Sequence, residues 1–256
     1  MKTIVIGDVH GCLDELVELL KIVDYEAGSD RLIFLGDLID RGPSPAGVVR
    51  LVRSIKAECV LGNHEEKYLR WVKHEAVRMA TGKQNPMSVH PQRVEEYKTL
   101  AEEDHAWLES RPAFIRFRTA RAWIAVHAGL EANRMVELQK PKYICRVQYL
   151  NACGEYVSTG TPGEAPEGSV RWQEMWHGPE SVVYGHAVWS LEKPRRDYYE
   201  PSRLDHFVGC FGIDTGCVFG GHLTAAIWHL DNHYPDFVRV KAKKAYFEDK
   251  HRGQEG

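Results

Sequence analysis

The stretch RLIFLGDLIDRGP, residues 31–43, sets the apolar run Leu32, Ile33, Phe34 and Leu35 directly ahead of Gly36, Asp37, Asp40 and Arg41. A short apolar run closed by glycine reads as a buried strand. The two carboxylates and the guanidinium then fall in the loop at its carboxyl end, where open α/β sheets build their sites. After Pro43 and Pro45, AGVVRLVRSI (46–55) has helical spacing. The pattern recurs on either side: TIVIGD (3–8) leads into LDELVELLKIV (13–23), and AECVLGNH (57–64) into EEKYLRWVKHEAVRMA (65–80). Strands alternating with amphipathic helices predict an α/β domain with its functional loops gathered at one edge of the sheet.

The 256 residues, 43% hydrophobic and 27% charged, suffice for a large core. A net charge of −3 excludes the global basic field that drives non-specific nucleic-acid binding. Asp8 and His10 arrive too early for MKTIVIGDVHG to be a signal peptide, and no run approaches the ~18 apolar residues of a membrane span. The six cysteines form no C-x-x-C pair, which predicts reduced thiols, a cytoplasmic location and no thiolate-held zinc.

From residue 81 the chain turns polar and proline-containing, then resumes helical spacing to about Ser110, which predicts a small helical cap inserted at about 66–112. Strand patterns follow at 121–129, 143–150, 181–186, 209–216, 223–230 and 236–242 without long helices between them. They predict a second, more antiparallel sheet packed on the first. The domain is expected to span 1–242, with 243–256 a charged, solvated tail.

Five strand ends carry nitrogen or oxygen donors: Asp8 and His10 in GDVHG, Asp37 and Asp40 in GDLIDRG, Asn63 and His64 in GNHE, His127 in VHAG, and His186 in YGH. One Asp or His at a strand end is usually a hydrogen-bonded turn. Turn chemistry does not explain five in one chain. Carboxylate, imidazole and amide oxygen without thiolate suit two hard or borderline divalent cations, manganese, iron, zinc or cobalt. Such a pair, ~3.5 to 4 Å apart, needs a bridging carboxylate, and Asp37 is central in the sequence order.

In order and spacing, GDxHG, GDxxDRG, GNHE, HAG and GH resemble the binuclear metallophosphoesterases of the PPP type, over residues 4 to about 230. That superfamily includes Ser/Thr protein phosphatases, diadenosine tetraphosphate hydrolases and the phosphatase domain of bacterial polynucleotide kinase-phosphatase. The resemblance implies two packed mixed β-sheets flanked by helices, a four-layer sandwich. It implies that Asp8, His10 and Asp37 hold one metal, and that Asp37, Asn63, His127 and His186 hold the other. Manganese is the first expectation, with iron, zinc, cobalt and nickel as alternatives. A metal-activated water would attack phosphorus, His64 would protonate the leaving oxygen, Asp40 would hold its imidazole, and Arg41 would bind phosphate oxygens. For a second phosphate-binding arginine the expectation is Arg171, with Arg146 as runner-up, and Asp214 orients a ligand or shapes a turn.

GIDTGCVFGGHLTAAIW (212–228), VRWQEMWHGPESVVYGH (170–186) and GDVHGCLDELVELL (7–20) resemble the PrpE-like diadenosine tetraphosphatases and the polynucleotide end-healing phosphatase. Asp40, with Arg41 and GNHE, fits the PrpE-like and protein-phosphatase-like members better than the symmetrical hydrolases, which tend to lack an acid there. The substrate this implies is a dinucleoside polyphosphate such as Ap4A or a related nucleotide. Phosphoprotein and nucleic-acid ends are the alternatives, a metal-free scaffold is the non-enzymatic one, and no membrane partner is expected. Trp172, Trp176, Trp189 and Trp228 are expected in the core rather than stacked on a base.

Overall fold

The computed structural model describes residues 1–160, 164–199, 208–230 and 232–248. His206 and residues 249–256 of the expected tail lie outside the described residues.

The first third forms β1 (Lys2–Ile6), α1 (Leu13–Ile22), β2 (Arg31–Phe34), α2 (Pro45–Ser54), β3 (Glu58–Cys59) and α3 (Asn63–Thr81). The insert adds α4 (Pro91–Lys98) and α5 (Glu102–Glu109). Then come β4 (Phe114–Arg118), β5 (Ala122–Val126), α6 (Pro141–Ile144), β6 (Tyr149–Leu150), β7 (Tyr156–Val157), β8 (Val170–Arg171), α7 (Trp172–Met175) and β9 (Ser181–Tyr184). The chain closes with β10 (Arg195–Tyr199), β11 (Val208–Gly212), β12 (His222–His229) and β13 (Asp236–Lys241).

Two five-stranded sheets stack face to face, ordered β13-β12-β1-β2-β3 and β10-β11-β9-β5-β4. Alternation along each strand divides the core. Val5, Ile33 and Leu35 of the first sheet meet Trp123, Val183 and Phe211 of the second between the layers. Ile4, Ile6 and Phe34 point the other way, onto Leu16 and Leu19 of α1 and Val48, Val49 and Val52 of α2. The outer face of the second sheet is covered by Leu130, Val136, Ile144, Trp172 and Trp176. A four-layer sandwich results.

Both sheets are mixed. The second contains two parallel pairs, β5 with β9 and β9 with β11, beside two antiparallel ones. The expectation that it is the more antiparallel sheet is corrected, because β12 and β13 leave it. They join the first sheet, β12 antiparallel to β1 with Ile4 opposite Ile227, and β13 on the edge. Leu223 through Trp228 are buried on both faces of β12, which suits a central strand between two layers. The strand expected over 143–150 is also corrected: Pro141 starts the helical turn of α6, and only Tyr149 and Leu150 pair, in a small sheet ordered β7-β6-β8.

The inserted helices extend the helical layer, since Tyr68, Leu69, Tyr97 and Leu108 share one core cluster with α1 and α2. An ion pair from Arg53 to the buried Asp104 pins α5 to α2. The described residues after 242 are mostly exposed and are tied to the domain by hydrogen bonds. The Lys243 amide and the Tyr246 hydroxyl both donate to Glu15 Oε1, at 3.0 and 2.8 Å, and the Tyr246 and Phe247 amides donate to the Val218 carbonyl. Among the described residues no helix is long and apolar enough to cross a membrane.

Candidate active site

Every candidate donor lies just past a strand. Asp8 and His10 follow β1, Asp37 to Arg41 follow β2, Asn63 and His64 open α3, His127 follows β5, and His186 follows β9. These turns are tight enough that His10, Asp37, Asp40, Arg41 and His186 all take positive φ, between 45° and 71°. Non-glycine residues are held there at an expense of order 1–3 kcal/mol each, and such strain concentrates at functional sites. Among the described non-glycine residues only Asp24 and Lys56 share this conformation without belonging to the cluster.

Two groups of donors converge: His10, Asp37 and His64, and Asp37, His127 and His186, each with its ligand atoms within 4.8 Å of one another. Asp37 is common to both. Its Oδ2 lies 3.5 Å from His10 Nε2, its Oδ1 3.4 Å from His127 Nε2, and Oδ1 also accepts the His64 amide at 3.0 Å. Asn63 Oδ1 sits between His127 Nε2 and His186 Nδ1, at 2.8 and 2.9 Å. Asp8 takes the His186 amide on both carboxylate oxygens at 3.1 Å.

The backbone selects the imidazole tautomers. His10 Nδ1–H donates to the Ile39 carbonyl at 2.9 Å and His127 Nδ1–H to the Leu35 carbonyl at 2.7 Å, which leaves both Nε2 lone pairs facing the centre. Glycines make room: a Cβ on Gly185 would meet Asp8 Oδ1 at 2.0 Å, and one on Gly62 would meet Asp37 Oδ1 at 2.3 Å.

The charges are those of a cation site. Burial raises the Asp8 carboxyl pKa well above its ordinary value, with Asp214 and Asp37 adding to the effect. Burial lifts Asp37 to about 7 and brings His127 down to about 3. It also holds His10 and His186 well below the usual imidazole range. Buried carboxylates crowded together and imidazoles kept neutral with inward lone pairs are what a divalent cation relieves.

His64 occupies the edge of this cluster. Its Nδ1 is 2.5 Å from Asp40 Oδ2, and Asp40 is fully buried. Arg93, from the insert, contacts the same Asp40 oxygen at 3.2 Å. Arg41 Nη1 lies 3.0 Å from His10 Nε2, with its guanidinium over Phe219 and Phe247. Arg146 pairs with Glu66 and reaches the Asn63 carbonyl at 3.4 Å. Arg171 instead lies over the Trp189 ring, 4.1 Å from its centroid, with Arg195 against the same ring at 4.2 Å. The structure therefore brings Arg146 to the cluster and leaves Arg171 in a stack with Trp189. Asp214 is buried, accepts the Gly216 amide at 2.9 Å, and is near enough to raise the pKa of Asp8.

Two residues at the site had no reading in the sequence. Glu65 is 1% exposed and accepts four amides, from Gly62, Asp37, Leu38 and Ile39, at 2.8 to 3.2 Å. It ties the start of α3 to the loop that carries Asp37. The capping-box spacing of glycine and glutamate in GNHE is the signal that could have found it. Arg93 lies in a polar helix with no strand-end context, and nothing in its neighbourhood marks it.

Two stacked mixed sheets with this donor set at their strand ends define a metal-dependent hydrolase. The model of the calcineurin-like phosphoesterases matches residues 1–224, and the chain belongs to that family. It is an enzyme of the metallophosphoesterase class. Similar relatives include the asymmetrical bis(5′-nucleosyl)-tetraphosphatases PrpE of Oceanobacillus iheyensis, 29% identical over 98% of this chain and 96% of the relative, and of a Geobacillus species, 31% identical over 98% and 99%. A solved structure provisionally named a diadenosine tetraphosphatase superposes with a TM-score of 0.70 at 28% identity, covering 94% of this chain and 93% of that one.

Proposed function

We propose that this chain hydrolyses dinucleoside polyphosphates such as Ap4A, or closely related nucleotides, at a site for two divalent cations. The observation that supports it most is Asp37, one carboxylate shared by two converging donor groups, with His64 braced by Asp40 beside it. Asp8, His10 and Asp37 would hold one cation, and Asp37, Asn63, His127 and His186 the other. Manganese is the first choice, and the mixed oxygen and imidazole donors suit iron, zinc, cobalt and nickel as well. When bound, such a pair supplies an activated water and neutralises phosphoryl charge. The names of the relatives support the nucleotide over a phosphoprotein or a nucleic-acid end. The free thiols, five of the six buried, agree with a cytoplasmic setting.

The protein's own groups do the rest. Arg41 offers a planar fork to the phosphoryl oxygens, and Arg146, rather than Arg171, supplies the second. His64 points Nε2 toward the centre while its Nδ1–H donates to Asp40. Burial and the fields of Arg41 and Arg93 keep this imidazole well below its usual pKa. The negative charge of an arriving polyphosphate offsets both guanidinium fields, so His64 would take up a proton from solvent as substrate binds and pass it to the leaving oxygen.

Turnover of Ap4A, a phosphopeptide and a phosphorylated oligonucleotide is compared with Mn²⁺ present, with products identified by chromatography. Ap4A should have the highest kcat/KM. A higher value for the phosphopeptide or the oligonucleotide defeats the substrate assignment. His64→Ala should lower kcat by about 10² to 10⁴-fold at unchanged metal content. An inactive variant that has also lost its metal would show His64 to be a ligand instead.

A further inference from the structure

Helix α3 carries Asn63, Glu66, Lys67 and Arg70 at positions i, i+3, i+4 and i+7, so the four side chains share one face that begins at the active site. Glu66 is taken up by Arg146 and by Arg70, whose Nη2 is 3.9 Å away. Across from this face, Arg93 of α4 holds Asp40. Lys67 is half-buried, and the charges acting on it are Arg93, Arg70 and Arg146, with Asp40 the one acid among them. Asp40 is already engaged by His64 and Arg93. Glu96 borders Arg93 as a further carboxylate, its pKa raised by burial and by the Asp40 charge and lowered by Arg93.

Four cations thus gather around three carboxylates, Asp40, Glu66 and Glu96. Like charges brought together partly out of water repel unless an anion joins them, and the chain as a whole is acidic, so the concentration is local. A rise of about 1.5 Å per residue places Arg70 roughly 10 Å along the helix from Asn63. That reach exceeds one phosphoryl group and matches a short condensed-phosphate chain.

We propose that Lys67, Arg70 and Arg93 form a second anion subsite that takes the non-scissile phosphates of a condensed-phosphate chain, while the phosphate under attack lies among Arg41, Arg146 and His64. The proposal rests on reading the site as a nucleoside polyphosphate hydrolase. It adds where the rest of the chain is gripped. The arginines supply forked contacts and Lys67 a point charge. A nucleic-acid backbone would call for a longer, more exposed basic track than one helix face interrupted by Glu66.

The test uses hydrolysis of p-nitrophenyl phosphate as reporter, at a fixed free Mn²⁺ concentration, with orthophosphate, pyrophosphate and tripolyphosphate as inhibitors. The native enzyme should bind tripolyphosphate at least tenfold more tightly than orthophosphate. Lys67→Ala/Arg70→Ala should remove that gain while orthophosphate inhibition and reporter kcat change less than twofold. A retained gain, an equal loss for orthophosphate, or a 5′-phosphorylated oligonucleotide as the one inhibitor sensitive to the substitutions would each overturn the subsite. Ap4A turnover separates the two readings. No hydrolysis of Ap4A by a native enzyme that still shows the Lys67-dependent gain refutes the substrate and leaves the subsite standing. Ap4A hydrolysis with the same kcat/KM in native and double variant refutes the subsite and leaves the substrate standing.

Discussion

Asp40→Asn isolates the brace behind His64. The carboxylate is fully buried, 2.5 Å from His64 Nδ1 and 3.2 Å from Arg93 Nε. Asparagine keeps the shape and one accepting oxygen but loses the charge that both partners face. A hydrogen bond to a charged group contributes about 1.5–3 kcal/mol. At 1.36 kcal/mol per tenfold, its loss lowers the rate by about 10- to 10²-fold wherever His64 must deliver a proton. The assay is kcat on two monoesters with Mn²⁺. An alkyl phosphate, whose alkoxide cannot leave unprotonated, should show the full loss, and p-nitrophenyl phosphate, whose nitrophenolate leaves without a proton, should lose far less. A purely structural role would depress both equally. Equal losses, or a fall in bound metal alongside them, would refute the assignment of Asp40 to positioning His64.

Glu65→Gln offers an amide NH₂ to backbone donors that now meet a carboxylate oxygen, and each buried donor left unpaired costs about 1–3 kcal/mol. The Tm followed by circular dichroism should fall, and turnover should fall with it because the loop holding Asp37 loosens; an unchanged Tm would remove Glu65 from that role. Trp228→Ala should destabilise by about 3–5 kcal/mol in urea unfolding, since its ring is fully buried against Trp123 and Phe117 between the sheets. For Tyr68, burial and the Asp104 charge push the phenol up to about 12. Below pH 10 both folded and unfolded states keep the proton, and between 10 and 12 only the unfolded state releases it. Stability should therefore fall as pH rises through that window, by as much as about 1.4 kcal/mol per unit, and Tyr68→Phe should flatten the slope.

The sequence reached the donors because each stands beside its own punctuation. Asp8, Asp37, Asn63, His127 and His186 follow apolar runs and lie within two positions of a glycine, and strand ends of this kind converge once the strands are side by side. Sheet membership was less legible. LTAAIWHL looks the same whether it closes the second sheet or inserts beside β1, and only the pairing of Ile227 with Ile4 decides. Tertiary reach hid the remainder. Arg171 is nearer to the His186 strand in sequence, yet its guanidinium turns onto Trp189, and Arg146 arrives from the turn after α6.

Arg93 shows why such residues escape a reading of local pattern. Its helix is polar, its neighbours Gln92 and Glu95 suggest a solvated face, and its partner Asp40 lies more than fifty positions earlier in the chain. Yet it touches Asp40, the carboxylate paired with His64, so helix α4 reaches the candidate site. Helix α3, which runs on into the insert, carries Asn63 and His64 at its start, ahead of the insert, and Lys67 and Arg70 within it. The α/β framework thus brings the candidate metal-binding ends of its strands together with His64 and Asp40, while the insert supplies Arg93 behind Asp40 and the extra cations. Exchange of the insert between members of this fold would on this account change which phosphates are accepted without disturbing how the metals are held.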